Sequence, residues 1–141
     1  PISVTAIIQR LQPSLYPHVE DEATIIITYP HTQAIIQASW NWPFNRKDME
    51  IYGDSGYVIT KDDAHMRVNG KGEQRQLTLN AADMGVYKDA FSFFADVIRG
   101  RLKVEPHSLY ALPNNVMVVR ILEAAMESAK TGKTVQLQPV K

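Results

Sequence analysis

Two tryptophans and the polar residues after them form the segment best suited to bind a small polar molecule. The segment reads Trp40, Asn41, Trp42, Pro43, Phe44, Asn45, Arg46 and Lys47. Indole rings offer flat apolar surfaces, Asn and Arg donate hydrogen bonds, and loops after strand ends often build pockets. Trp40 is in phase with Ile36 and Ala38 and is expected in the core, whereas Trp42 suits either the core rim or a ligand platform. The candidate ligand-binding residues are therefore Trp42, Asn45 and Arg46.

Other patterns that look catalytic or metal-binding have simpler explanations. Gly53-Asp54-Ser55-Gly56 is the tetrapeptide around the nucleophile of trypsin-like proteases, but a hairpin turn explains it and the chain has no cysteine. The four histidines show neither HxH nor HExxH spacing. His18, Glu20 and Glu22 could form a two-carboxylate metal site, although a solvated acidic loop is the simpler interpretation. We predict no catalytic, cofactor-binding or metal-binding residue in this chain.

Alternating apolar and polar residues predict strands through the first half of the chain and at its end. The predicted strands cover residues 2–11, 24–29, 33–42, 49–53, 57–60, 64–68, 76–80 and 134–138. Asp54-Ser55-Gly56 and Asn69-Gly70-Lys71-Gly72 contain the residue types that tight hairpins need. The strands are therefore expected to join mostly as antiparallel hairpins.

Two segments change to the helical period of 3.6 residues. The first has Tyr87, Phe91, Phe94 and Ile98 on one stripe, and the second has Val116, Val119, Leu122, Ala125 and Ala129. Strands followed by helices predict an α+β fold, an open, mostly antiparallel sheet of about six or seven of these strands with two main helices on one face. Because Ile25, Ile26 and Ile27 place apolar side chains on both faces of one strand, we expect the other sheet face to be an interface.

Composition excludes several classes of protein. With 141 residues, 45% hydrophobic and 21% charged, we expect a single domain over residues 1–141. Fifteen basic and fifteen acidic residues cancel, which argues against a nucleic-acid partner. No apolar run approaches the roughly 20 residues that span a bilayer, so no membrane partner is expected. The absence of cysteine is compatible with a cytoplasmic location, and the immediate entry into a strand from Pro1 suggests a piece of a longer protein.

Several short motifs occur in a characteristic order and spacing. They lie at residues 1–6, 21–29, 38–40, 43, 50–56, 91–99, 121–125 and 128–132. Together they resemble the C-terminal domain of the Gfo/Idh/MocA family of NAD(P)-dependent oxidoreductases. Members of that family have an N-terminal Rossmann domain that binds the dinucleotide. This sequence lacks its GxGxxG turn, its Glu-Lys-Pro segment with the usual catalytic Lys, and its Asp-x-x-x-His segment.

The resemblance implies a substrate-binding and oligomerisation domain of a dehydrogenase that acts on a sugar, a cyclitol or a related hydroxy compound. NAD or NADP is implied for the full-length parent, while this chain alone is expected to bind no nicotinamide and to be inactive. The implied partners are the missing Rossmann domain, a small-molecule substrate and further copies of the chain, which would associate through the open sheet face. By the family's layout, Trp42 stacks on a sugar face while Asn45 and Arg46 hydrogen-bond its substituents.

Two alternatives come from other functional classes. The chain could be a non-catalytic dimerising or ligand-binding α+β module, which an initiator Met encoded close to Pro1 would favour. It could also be a small α+β enzyme with a cupped sheet, which needs an acid or base inside the cup. Gln37, Ser39 and Asn41 share one face without a carboxylate or histidine among them, so this alternative ranks last.

Overall fold

The computed structural model describes residues 1–80, 89–106 and 108–138. Within these ranges the strands are β1 (Ser3–Gln9), β2 (Glu22–Thr28), β3 (Gln33–Ser39), β4 (Met49–Gly53), β5 (Gly56–Thr60), β6 (His65–Gly70), β7 (Glu73–Thr78) and β8 (Val135–Gln136). The helices are α1 (Ala90–Ile98) and α2 (Leu112–Thr131). The α+β class is confirmed, with eight strands rather than six or seven.

The strands form two four-stranded antiparallel sheets rather than one sheet. The first sheet has the order β3-β2-β1-β8 and the second the order β4-β5-β6-β7. Contacts divide the chain into a first unit, Pro1–Trp42 with Val104–Lys141, and a second unit, Pro43–Lys103. Strand pairing stops at Ser39, and Pro43 has no N–H to donate to a ladder. That these units make one domain over residues 1–141 stays a prediction.

The core of the first unit lies between one face of its sheet and α2. Val4 lies opposite Ile27, and Ala6 lies opposite Ile25, so the four side chains share a face. These four side chains pack against α2 through Ala124 and Ala125. All are buried. The alternation seen in the sequence thus sets which face of the sheet is covered.

The buried stripe of α2 contains Ala125 and the partly buried Ala129 of the predicted stripe but differs at its other positions. Ala124, Ala125 and Ser128 are buried, whereas Val119 and Leu122 are about half exposed, at 54% and 51%. Small side chains let the helix backbone approach β1, and Ser128 Oγ accepts a hydrogen bond from the Ala6 N–H at 2.9 Å. β8 pairs with β1 only at Ser3 and Val4, so this hydroxyl satisfies an N–H farther along β1. The helix ends at Gly132 in the left-handed conformation, as predicted.

The second sheet is a meander of hairpins at the predicted turns. Gly56 has a φ of 153°, and a Cβ at this position would collide with the Asn69 carbonyl oxygen of the neighbouring strand. Glycine is therefore required where β5 begins beside the end of β6.

Helix α1 forms from Ala90 to Ile98, where the apolar stripe predicts it. Asp89 caps its N-terminus, since its carboxylate accepts the Ser92 N–H at 2.8 Å. Phe91, Phe94 and Ile98 are exposed, and Tyr87 lies outside the described residues. Neither described helix has the combination of length and apolar composition that a membrane span requires.

Candidate functional site

The three residues predicted to bind a ligand are divided between the two units. Trp42 is the last residue of the first segment of the first unit and is half-buried, while Asn45 and Arg46 belong to the second unit and are exposed. The Arg46 Nε donates to both Asp48 carboxylate oxygens, at 2.9 and 3.0 Å. Asp48 thereby restrains the guanidinium. Ligand binding by Trp42, Asn45 and Arg46 stays a prediction.

Trp40 is 62% exposed, so its predicted place in the core is wrong. β3 ends at Ser39, and the strand alternation therefore does not determine the direction of the next side chain. The indole instead packs edge-on against Tyr16, with ring centroids 5.2 Å apart. Tyr16, which the sequence pattern did not single out, is half-buried and completes an aromatic pair with the exposed Trp40.

Asp21 holds the backbone next to this aromatic pair. Its side chain is buried, and its two carboxylate oxygens each accept a backbone N–H at 2.8 Å, from Leu11 and from Gln12. Its carbonyl accepts the Trp40 N–H at 2.9 Å. Burial opposes ionisation of Asp21, but the hydrogen bonds outweigh it and lower the pKa of the carboxyl below its ordinary value. The interpretation of the acidic run as a solvated loop is wrong at this residue.

Asn41 bridges the same strand ends. Its side-chain amide donates to the Asp21 carbonyl at 3.3 Å and accepts a hydrogen bond from the Gln12 side chain. Hydrogen bonds at Asn41 and Asp21 therefore join three segments of the chain and hold the backbone beside the Trp40–Tyr16 pair. The arrangement suits a ligand with an apolar ring face and hydroxyl groups at its edge.

One face of the second sheet is polar. The register places Arg67 opposite Ile59 on one side and Gln76 on the other. By the same register, one sheet face contains Glu50, Tyr52, Tyr57, Ile59, His65, Arg67, Asn69, Gln74, Gln76 and Thr78, which we call the polar face. The alternation of β4 to β7 could have revealed this face in the sequence.

Two tyrosines of the polar face are ordered by hydrogen bonds. The Tyr52 hydroxyl donates to a Glu50 carboxylate oxygen at 2.7 Å, and the Tyr57 hydroxyl donates to the Gln74 carbonyl oxygen at 2.9 Å. The bond to Glu50, with burial and the nearby negative charge, raises the pKa of Tyr52. Arg67 lies over the Tyr57 ring, 5.9 Å from its centroid.

Asp62 and His65 form a pair where β5 turns into β6. The Asp62 carboxylate accepts the backbone N–H groups of Ala64 and His65, at 2.9 and 2.7 Å. Its oxygens also lie 2.9 Å from His65 Nδ1. These hydrogen bonds lower the pKa of Asp62. An ionised carboxylate only accepts, so Nδ1 bears a hydrogen and the imidazole orientation is set.

The described residues do not fit a dinucleotide. A pyrophosphate needs a helix N-terminus with accessible N–H groups, usually after a glycine-rich turn. At α1 the Asp89 carboxylate already accepts the Ser92 N–H and would repel phosphate, and α2 has Pro113 in its first turn. Among residues 1–80, 89–106 and 108–138, no three His, Asp or Glu residues cluster closely enough to hold a metal ion.

Comparison with protein families gives one match. The model of the oxidoreductase family, C-terminal alpha/beta domain, matches residues 1–137. No curated protein matches the sequence.

Solved structures with the same fold come from several bacteria. A "putative oxidoreductase" from Thermotoga maritima has a TM-score of 0.79 at 22% identity, over 96% of this chain and 40% of that one. An oxidoreductase from Agrobacterium radiobacter, in complex with NAD+, L-tartaric acid and magnesium, has a TM-score of 0.68 at 18% identity, over 96% and 43%. A "putative myo-inositol dehydrogenase" from Sinorhizobium meliloti has a TM-score of 0.66 at 18% identity, over 98% and 44%. The chain thus spans less than half the length of these proteins.

Proposed function

The chain belongs to the Gfo/Idh/MocA oxidoreductase family, and we propose that it is the substrate-binding and oligomerisation domain of an NAD(P)-dependent dehydrogenase. The match of a C-terminal domain model to residues 1–137 carries this proposal. The coverage of 40 to 44% of the three similar structures supports a further domain in the whole protein. One of them is in complex with NAD+, which supports a nicotinamide cofactor for the parent.

The proposed substrate is a sugar, a cyclitol or a related hydroxy compound. Its support is the aromatic pair of the exposed Trp40 and the half-buried Tyr16, beside the hydrogen-bonding groups of Asn41 and Gln12. The resemblance supports a contact of Trp42, Asn45 and Arg46 with a substrate of this class, and this assignment stays a proposal. A structural neighbour described as a "putative myo-inositol dehydrogenase" is consistent with this class.

The role proposed for this chain is to bind and orient the substrate. When bound by the parent protein, the nicotinamide accepts or donates a hydride at a carbon bearing oxygen. We assign no hydride or proton transfer to a residue of this chain, because its sequence lacks the Glu-Lys-Pro and Asp-x-x-x-His segments that carry those roles in the family it resembles. The isolated chain is therefore proposed to be inactive. A cytoplasmic location is proposed with it, supported by the cysteine-free composition.

The oligomerisation role rests on the face of the first sheet that neither described helix covers. Thr5, Ile26 and Ile35 form one cross-strand row on the face opposite α2. Ile7 and Ile35 are 63% and 62% exposed there, with Gln37 beside them. An apolar centre with a polar rim is the composition of a protein interface, and a second copy of the chain is the proposed partner.

Kinetics of the full-length gene product test the substrate role. The assay follows NAD(P)H formation across a panel of sugars and cyclitols, with Arg46→Ala and Arg75→Ala compared to the unchanged protein. We expect Arg46→Ala alone to lower kcat/KM, by about tenfold for one lost charge-assisted hydrogen bond. If kcat/KM is unchanged for every compound tested, the assignment of Arg46 is abandoned. A gene that starts close to Pro1 would favour the non-catalytic module instead.

Light scattering of the 141-residue chain over a concentration series tests the interface. A dimer or larger oligomer is expected, and Ile35→Glu should convert it to a monomer. Met126→Glu, at an exposed apolar residue of α2, is the matched control and should leave the mass unchanged. A strict monomer at all concentrations would overturn self-association through this face.

A further inference from the structure

One buried carboxylate connects the two aromatic residues at the end of the first sheet. Asp21 is 3% exposed, although carboxylates are rarely buried unless they are fully paired. Its two oxygens accept the backbone N–H groups of Leu11 and Gln12, each at 2.8 Å. An ionised carboxylate only accepts hydrogen bonds, which matches these two donors. The Asp21 side chain therefore fixes the main chain in the loop that follows β1.

Tyr16 is connected to Asp21 through a single residue. The Gln12 carbonyl accepts the N–H groups of Leu15, at 3.0 Å, and of Tyr16, at 2.9 Å, and these bonds close a turn. The Gln12 N–H is bound to the Asp21 carboxylate, and the Gln12 side chain donates to the Asn41 side chain. The turn that carries Tyr16 therefore starts from a residue that Asp21 holds in place.

Trp40 is connected to the same residue from the other side. Its N–H donates to the Asp21 carbonyl at 2.9 Å, one residue beyond the end of β3 at Ser39. The indole is 62% exposed, so a ligand can reach it, and its ring plane makes an angle of 60° with that of Tyr16. Asp21 thus restrains one aromatic residue through its side chain and the other through its main chain.

We propose that Asp21 is a positioning residue of the substrate-binding surface, which holds Tyr16 and Trp40 together for the ring face of a cyclic hydroxy compound. The inference rests on the proposed substrate class and names the residue that orders its binding surface. Asp21 itself touches no substrate, because its side chain is buried and its oxygens are occupied. An aromatic pair that is ordered in advance loses less conformational freedom when a ligand binds, and this raises affinity.

Nuclear magnetic resonance of the 141-residue chain tests the effect of Asp21 on the aromatic pair. Asp21→Asn keeps the size of the side chain but offers one acceptor oxygen instead of two, so one backbone N–H loses its partner. We expect amide exchange in the loop after β1 to accelerate about tenfold. Nuclear Overhauser contacts between the rings of Tyr16 and Trp40 should weaken. Glu20→Gln, which removes one charge from the neighbouring exposed residue, should change neither signal.

Signals of β1, β2 and α2 show first whether each variant retains its fold. Intact ring contacts in a folded Asp21→Asn chain would overturn the proposal. Asp21→Glu takes its place if Asp21→Asn does not fold, because glutamate keeps the charge and both oxygens. Its longer side chain no longer matches the two N–H groups, so the same changes are expected at a smaller size. Unchanged contacts in this variant would equally contradict the proposal.

Kinetics of the full-length gene product test the effect on the substrate, with a panel of sugars and cyclitols that includes glucose and myo-inositol. Asp21→Asn should raise KM about tenfold and change kcat less than about twofold, because the aromatic pair binds substrate and transition state alike. Unchanged KM would overturn the role of Asp21 alone. No turnover of any compound by the unchanged protein would overturn the proposed function, and the substrate role of Asp21 with it.

A double variant separates positioning of the aromatic pair from a general structural role. Tyr16→Leu removes one ring and should raise KM by a similar factor. When Asp21→Asn is added to Tyr16→Leu, KM should not rise further, because Asp21 acts through the ring that is already missing. If the two factors multiply instead, Asp21 acts independently of the aromatic pair and the proposal is rejected.

Discussion

The two sheets have four strands each but are stabilised in different ways. In the first unit, α2 covers one sheet face and buries Val4, Ile25 and Ala125. Among the described residues of the second unit, no hydrophobic side chain is buried. Met49, Ile51 and Leu77, on the face opposite the polar face, are 54%, 52% and 42% exposed. Strand pairing alone therefore does not produce a hydrophobic core. In the first unit a core forms because α2 packs on the sheet through small side chains.

The first unit is expected to be more stable than the second. Free energy from apolar burial is concentrated in the first unit, while the second depends on hairpin turns and cross-strand pairs. Exposed backbone hydrogen bonds and few buried apolar contacts are the features of segments that open first. Four changes test this difference in stability.

Ile25→Ala should have the largest effect. Ile25 is 8% exposed in the centre of the first core, so truncation should lower the free energy of unfolding by about 2–5 kcal/mol. Thermal or urea denaturation measures the loss. Ile51→Ala in the second sheet removes the same atoms from an exposed position and should cost less than about 1 kcal/mol. Equal losses would show that the second sheet has a core of comparable strength.

Gly56→Ala should act on the second sheet. A Cβ at φ 153° meets the Asn69 carbonyl, and the strain should cost about 1–3 kcal/mol. Hydrogen exchange should accelerate for the amides of β4 to β7 while β1 and β2 keep their protection. Gly72→Ala is the comparison, because that glycine also has a positive φ but has open space around the added Cβ. Acceleration spread evenly over both sheets would contradict independent opening.

Ser128→Ala should affect the first unit alone. The change leaves the Ala6 N–H without its acceptor between α2 and β1, at a cost of about 1–3 kcal/mol. Urea denaturation measures this cost, with Ser14→Ala as an exposed control. A loss no larger than that of the control would mean that water replaces the Ser128 hydroxyl.

Acid should weaken both units by a smaller amount. Hydrogen bonds lower the pKa of Asp21 in the first unit and of Asp62 in the second, below the ordinary value of 3.8. Because the pKa of each carboxyl is lower in the folded state than in the unfolded state, the ionised carboxyl stabilises the fold fully above its unfolded-state pKa. This stabilisation is lost as pH falls through the folded-state pKa. Unfolding measured from pH 5 down to 2 should therefore show falling stability, with about half the unfolded carboxyls protonated near pH 4.

Asparagine variants assign this acid dependence to each unit. Asp21→Asn should flatten the pH dependence of β1 and β2 protection, and Asp62→Asn should flatten that of β5 and β6. Asp54→Asn, in an exposed hairpin turn, is the control. Unchanged pH profiles in both variants would exclude these carboxyls as the source of the acid sensitivity.

Local patterns in the sequence predicted the family, which the match of the family model over residues 1–137 confirms. They also predicted most of the strands and helices. Period-2 alternation predicted β1 and β3, and glycine-containing turns predicted the hairpins at Gly56 and Gly70. Gly132 predicted the end of α2. These features depend on residues close in sequence, because side-chain direction, a positive φ and a helix end are local properties of the chain. They can therefore be predicted before the fold is known.

The choice of surfaces that pack together depends on the tertiary structure. The apolar periodicity of α2 was compatible with packing through Val119 and Leu122, but close approach to β1 selected Ala124 and Ser128. Asp21 is buried because two distant N–H groups require its oxygens, and Trp40 is exposed because its strand ends one residue earlier. The division into two sheets likewise depends on which strands pair. These outcomes result from contacts between residues far apart in sequence, which no local pattern records.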